Sequence, residues 1–216
     1  MNTPRDCGSS NLTFALSEDG IKKFSQIFQG GVVIQGAVGC TIMDLLFRRY
    51  GIDRQYIDTR IQTIFLDGKA VDDPESARIA DRSTLALSAA MPGFVGATLR
   101  RDGHYAVMRS NITHRVQGEA VQGEDGLFTL KLFNLLAEEL APVFLRKGIW
   151  IRWKSLKSFL ELQGENFINR CGWVRFNDEV VGFPRLLEIV EQAEDDLVRL
   201  DVVTCKVDAA AFGDPS

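Results

Sequence analysis

Cys7, Cys40, Cys171, Cys205, His104 and His114 are the soft ligands and nucleophiles that this chain offers. A closed zinc or iron–sulfur site needs four such ligands, usually in short-spaced pairs whose loop wraps the metal. No C-x-x-C occurs here, and the two histidines lie ten residues apart. The spacing predicts cysteines that serve as small buried apolar residues in a reducing compartment, with no metal or other cofactor. A second candidate is the glycine-rich stretch QGGVVIQGAVGCTIMDLLFRRYGI, residues 29–52. A phosphate loop of the G-x-x-x-x-G-K-[ST] type uses its lysine on the phosphates and its hydroxyl on magnesium. Gly31 and Gly36 have the glycine spacing, but Ala37 and Val38 stand where those two residues belong. A dinucleotide fingerprint needs three glycines, and only Gly36 and Gly39 are in place. The strained G-x-S-x-G turn of serine hydrolases is absent from the sequence. Glu138 and Glu139 are adjacent, so on a helix they diverge by about 100° and make a poor acid–base pair. The acidic run from Glu188 to Asp196 has helical periodicity and predicts a solvated face. These patterns lean away from an enzyme.

One patch favours binding. Residues 146–175 hold Arg146, Lys147, Arg152, Lys154, Lys157, Arg170 and Arg175 against Glu161 and Glu165. Trp150, Trp153 and Trp173 fall in the same window. Cations interleaved with aromatics suit phosphate contacts with base stacking, or an acidic partner. Arg152, Trp153, Lys154, Lys157, Trp173 and Arg175 are the expected contacts. The competing reading, which the net charge of −4 favours, is core tryptophans beside solvated cations.

The elements that must position these residues follow from local pattern. GVVI is β-branched and flanked by turn glycines, which predicts a strand. Thr41 to Asp44 has the capping-box pattern, Leu45, Leu46 and Tyr50 form an apolar stripe, and Gly51 stops the helix. IQTIFLDG predicts a strand ending in an Asp67-Gly68 turn, KAVDD a short return strand, and STLALS a further strand with Leu85 and Leu87 on one face. The order strand, strand, helix, strand, short strand, strand suits one sheet with a helix packed across it. The glycines of residues 29–52 then shape the backbone rather than hold a ligand.

This order resembles the ubiquitin-like β-grasp family, in particular its ThiS/MoaD sulfur-carrier branch. The counterparts are Gly39-Cys40-Thr41-Ile42-Met43-Asp44-Leu45-Leu46, then Leu66-Asp67-Gly68-Lys69-Ala70-Val71. A third block runs from Ile79 to Leu87, followed by Met91-Pro92-Gly93-Phe94-Val95-Gly96. The likeness covers residues 12–98. The resemblance implies a carrier-like tail at Gly93, Phe94, Val95 and Gly96. Sulfur carriers of this pattern end in a free Gly-Gly whose carboxylate is activated, whereas here Gly93 and Gly96 are not adjacent and the chain continues to Ser216. A carboxyl group within a peptide bond cannot be activated that way, so the two glycines are expected to shape the exit from the last strand.

The second half alternates turn signals, strand-like runs such as LFTLKLF, IWIRW, GWVRF and VVTCKV, and helical patterns at residues 135–147, 155–162 and 184–197. Pro142 is expected to kink its helix or begin another, and Pro184 to open one. The expected class is α+β: a β-grasp unit over residues 12–101, then a mixed α+β unit over 102–208, with flexible tails at 1–11 and 209–216. The N-terminus lacks the basic region and apolar core of a signal peptide, and Gln35 and Asp44 interrupt the longest apolar stretch, so a soluble cytoplasmic protein without membrane contact is expected. The expected function is a non-catalytic interaction scaffold with a protein partner or self-association. The alternatives are an accessory role in sulfur-carrier or molybdopterin metabolism, and nucleic-acid binding through the basic patch.

Overall fold

The computed structural model describes residues 10–89, 96, 99–101, 124–193 and 197–206. It is α+β, and the chain divides into two compact units: Met1–Val32 with Ala141–Ser216, and Val33–Leu140. The turn signal near residue 101 predicts a single division there. Instead the chain passes between units at 32/33 and 140/141, because strands far apart in sequence pair with one another.

The unit Val33–Leu140 answers the question raised by the glycine-rich stretch. Strand β2 (Val32–Ala37) is followed by a π-helical segment, Asp44–Arg49, rather than by an α-helix. Its wide turn is marked by the Tyr50 N–H donating to the Leu45 carbonyl five residues back, at 3.1 Å. Thr41 Oγ1 accepts the Asp44 N–H at 3.0 Å, which is one half of the expected capping box. Gly51, at φ +73°, ends the segment. Leu45, Leu46 and Tyr50 are buried as their spacing predicts. Asp53 caps a further helix, α3 (Arg54–Arg60), by accepting the Tyr56 N–H at 3.1 Å.

Strands β3 (Thr63–Leu66) and β4 (Lys69–Ala70) form the expected hairpin around Asp67 and Gly68, at φ +51° and +75°. Two consecutive positive φ angles are what a tight two-residue hairpin needs. Asp67 does more than turn: its carboxylate accepts from Thr84 N–H at 2.7 Å and Ser83 Oγ at 2.9 Å, which fixes the entry to β5 (Thr84–Ser88). β5 runs antiparallel to β3 and parallel to β6 (Asp125–Phe133). Within this unit the strand order is β4-β3-β5-β6-β2. Leu85, Leu87, Phe128, Leu130 and Leu132 are fully buried on the inward positions of the central pair. Helix α4 (Leu135–Lys147) carries the chain out of the unit. Pro142 lies inside it without ending it, and cannot donate to the Glu138 carbonyl.

The other unit contains both ends of the chain. β1 (Asn11–Leu16) pairs parallel with β10 (Leu197–Thr204) and antiparallel with β8 (Cys171–Phe176). β7 (Ile149–Arg152) pairs with the far side of β10, and β9 (Glu179–Val181) with the far side of β8. The resemblance begins at residue 12, yet this first strand belongs to a sheet built mainly from the C-terminal quarter. Helices α1 (Glu18–Phe24), α2 (Ile27–Gly30), α5 (Trp153–Ile168) and α6 (Phe183–Gln192) complete the unit. Its core is aromatic: Phe14 and Phe24 lie 5.4 Å apart edge-on, and Phe159 and Phe167 5.1 Å apart. Such edge-to-face pairs add to area burial.

Two helix expectations need correction. α5 begins at Trp153 rather than Ser155, and Gly164, at φ +48°, breaks its course. α6 ends at Gln192, so Leu197 belongs to β10 and not to the helical stripe of Leu186 and Val190. Residues 1–9 and 207–216, the histidines and Cys7 lie outside the described residues, while Asn11 is already in β1.

Candidate functional site

The amides of the glycine stretch are already committed. Val38 N–H donates to the Glu124 carbonyl at 2.9 Å, Gly39 to Ile79 at 2.8 Å and Cys40 to Ala37 at 3.2 Å. A phosphate cradle needs such donors free and convergent. Gly36 has a packing role, since a Cβ there would lie 2.5 Å from Leu45 Cδ1 and 2.9 Å from Phe128 Cε2.

The basic–aromatic patch is dispersed by the fold. Trp150 and Trp153 are only 2% and 5% exposed, so neither ring is available for base stacking. Trp153 instead packs edge-on to Phe176 at 6.3 Å. Lys157 pairs with Glu191 at 2.8 Å, and this contact raises its pKa. Arg152 and Lys154 are exposed. Trp173 is half-buried, and the Arg175 guanidinium lies 4.9 Å from its ring centroid, a cation–π contact within one strand. Trp173 and Arg175 therefore form one pairing of cation and accessible ring of the kind the sequence suggests.

Of the carrier-like tail, Gly93, Phe94 and Val95 lie outside the described residues. Gly96 is buried and helical, and its carbonyl accepts the Arg100 N–H at 3.1 Å.

Two polar constellations in the unit Val33–Leu140 come only from tertiary structure. In the first, Tyr56 and Arg60, one turn apart on α3, both grip the Glu139 carboxylate of α4. The Arg60 guanidinium and the Tyr56 hydroxyl hold the Glu139 carboxyl below its usual range, against a smaller opposing effect of burial. Burial and the Glu139 acceptor push the Tyr56 phenol well above its usual value. Each group is satisfied by the others, which suits a clasp between helices.

The second constellation is an open cleft of about 410 Å³ lined by Met43, Asp58, Asp72, Asp73, Pro74, Glu75 and Arg101. Arg101 Nη2 donates to the Ile57 carbonyl at 3.0 Å, and the Arg101 N–H to Gln62 at 2.7 Å. Its charge thus caps the C-terminal end of α3, where helix carbonyls lack partners. Asp73 Oδ1 accepts the Glu75 N–H at 2.9 Å and so orients the acidic turn. Glu75 pairs with Arg54, which also lies 3.9 Å from Asp58. The cleft therefore presents carboxylates on a rigid turn and a helix end, a surface that fits an ammonium or guanidinium head. Among the described residues no group of three or more His, Cys, Asp or Glu could hold a metal ion. The sequence signal for this cleft was the dense acidic turn Asp72-Asp73-Pro74-Glu75, which reads locally as a strand end and nothing more.

No protein-family model, curated protein or solved structure matches this chain. Among the described residues no helix is long and apolar enough to cross a membrane.

Proposed function

We propose that this chain is a non-catalytic interaction protein built on a β-grasp unit, and that the acidic cleft receives a basic side chain of its protein partner. A β-grasp places two parallel strands at the centre of its sheet and runs its helix between the second and third strands. The β5–β6 pairing, the β3–β4 hairpin and the passage from β2 into helix support that reading. In it, the first strand of the family's order is supplied by Asp125–Phe133, from the end of the unit instead of its beginning.

The observation that carries the functional reading is the cleft, with the side chains of Asp58, Asp72, Asp73 and Glu75 around the anchored Arg101. Complementary charge of this kind steers encounter and sets orientation. The accessory role in sulfur-carrier or molybdopterin metabolism requires a released glycine carboxylate, and the buried, hydrogen-bonded Gly96 weighs against it.

Amide NMR of the full chain, titrated at low salt with a Lys/Arg-rich peptide and separately with a Glu/Asp-rich one, tests the proposal. The basic peptide is expected to move the resonances of Asp72 to Glu75 and Arg101. Asp72→Asn combined with Glu75→Gln should weaken binding about tenfold, near 1.4 kcal/mol. Equal response to both peptides, or shifts confined to Trp173 and Arg175, would overturn it.

A further inference from the structure

The sheet formed by β7, β10, β1, β8 and β9 has two unlike faces. On one side Phe14 packs edge-on to Phe24 of α1 and Phe167 of α5, and Phe176 to Trp153, so helices cover it. Side chains alternate along a strand, so the residues between these point the other way. The register sets Asp201, Thr13, Arg175 and Val180 side by side across β10, β1, β8 and β9. Val203, Ala15 and Trp173 make the adjacent row. Val180 and Val203 are 67% and 42% exposed, and Arg175 is exposed too, so this second face is open to solvent.

The open face is cationic. Arg152 pairs with Leu197, two residues before Arg199, and so points to the same side as Arg199 and Arg175. Against these guanidiniums the strands set one carboxylate, that of Asp201, which neutralises Arg199 at 3.0 Å. Among the described residues neither Arg152 nor Arg175 meets a carboxylate. A chain of net charge −4 thus keeps two uncompensated cations on one sheet face. Arg175 is also restrained, because its guanidinium rests against Trp173 with Cζ 4.9 Å from the ring centroid. A guanidinium already held in place loses less freedom when its N–H edge takes up an anion.

We propose that this face binds single-stranded nucleic acid, with Arg175 and Arg152 on its phosphates and the Trp173–Arg175 stack supporting a base. Every nucleotide couples a phosphate to a π face, and this surface couples a cation to a ring. An acidic peptide would satisfy the guanidiniums and leave the ring unused. Arg152 and Arg175 lie three strand spacings across and four residues along the sheet, on the order of 20 Å apart, which spans a few nucleotides. Contacts to phosphate and π face tolerate any base, so binding is indifferent to sequence. The buried Trp150 and Trp153 take no part, nor does the acidic cleft of the unit Val33–Leu140.

Fluorescence anisotropy of the full chain, at salt rising from roughly 50 to 200 mM, tests this with three probes: a labelled oligothymidylate, an abasic strand of equal length and a Glu-rich peptide. The oligothymidylate is expected to bind, with log K falling linearly against log salt. Arg175→Gln should weaken it about tenfold and flatten that slope by about 0.7, the mark of one lost phosphate contact. Trp173→Leu should weaken it about tenfold with little change in slope, because stacking releases no counterions. The abasic strand should bind wild type about tenfold less tightly and ignore Trp173→Leu. Amide NMR of the wild type should place the shifts on Thr13, Trp173, Arg175 and Val180, which decides the matter even where a variant fails to fold. No binding at the lowest salt, or shifts confined to other residues, would overturn the proposal. So would equal binding of all three probes, which would make the face a docking surface for an acidic protein.

Discussion

Glu139 carries two partners on a side chain about one-third exposed, and its chemistry is the clearest at the residue scale. Its folded pKa lies below the ordinary 4.5, mainly through Arg60. A depressed carboxylate contributes stability above its unfolded value and loses that contribution as pH falls through the folded value. Glu139→Gln is therefore expected to cost roughly 0.5–1 kcal/mol at neutral pH, the scale of a partly exposed pair. That difference should shrink as the medium is made acidic and pH falls through the depressed folded value, where the wild-type carboxyl is protonated too. Urea denaturation of both proteins at neutral and at acidic pH checks this, and an equal difference at both would mean that the clasp acts through shape alone. Adjacent glutamates in a helical pattern gave no hint of this role, because the partners lie about eighty residues earlier on α3.

At the element scale, glycine decides how closely strands and helices approach. Gly36 of β2 faces Leu45 and Phe128, both essentially fully buried, so an added methyl group has nowhere to go. Gly36→Ala should destabilise by about 1–3 kcal/mol, the usual cost of overpacking a tight core. Gly148 differs: at φ +81° it is strained for any L side chain, and a Cβ would also meet Asp201 Oδ1 at 2.5 Å. Asp201 holds Arg199 at 3.0 Å, and that guanidinium lies 5.0 Å from the Trp150 ring centroid. Gly148→Ala is expected to cost about 1–3 kcal/mol from backbone strain. Thermal melts of the two variants distinguish the causes: Gly36→Ser should be worse than Gly36→Ala, whereas at Gly148 asparagine, which tolerates positive φ, should recover part of the loss.

At the scale of the whole molecule, the units are not consecutive blocks of sequence. A fragment ending at residue 101 contains β1 without β8 and β10, and β5 without its parallel neighbour β6. Such a fragment leaves strand edges of central, apolar strands unpaired. It is expected to show no cooperative thermal transition by circular dichroism, whereas the full chain should unfold with one or more sharp transitions. A sharp transition in the fragment would mean that residues 12–101 form a unit by themselves.

Local chemistry was enough for the parts whose partners lie within a few residues. The Asp67-Gly68 hairpin, the Thr41 cap, the Gly51 stop, the opening of a helix at Pro184 and the inward Leu85 and Leu87 all follow from side chains acting on neighbouring backbone. The sheet memberships of β1 and β6 do not follow in that way, because a strand's pattern states which face is apolar and not which strand lies beside it. The same holds for the acidic cleft and the Tyr56–Arg60–Glu139 clasp. Each brings together groups separated by tens of residues, and only burial of a shared core sets those distances.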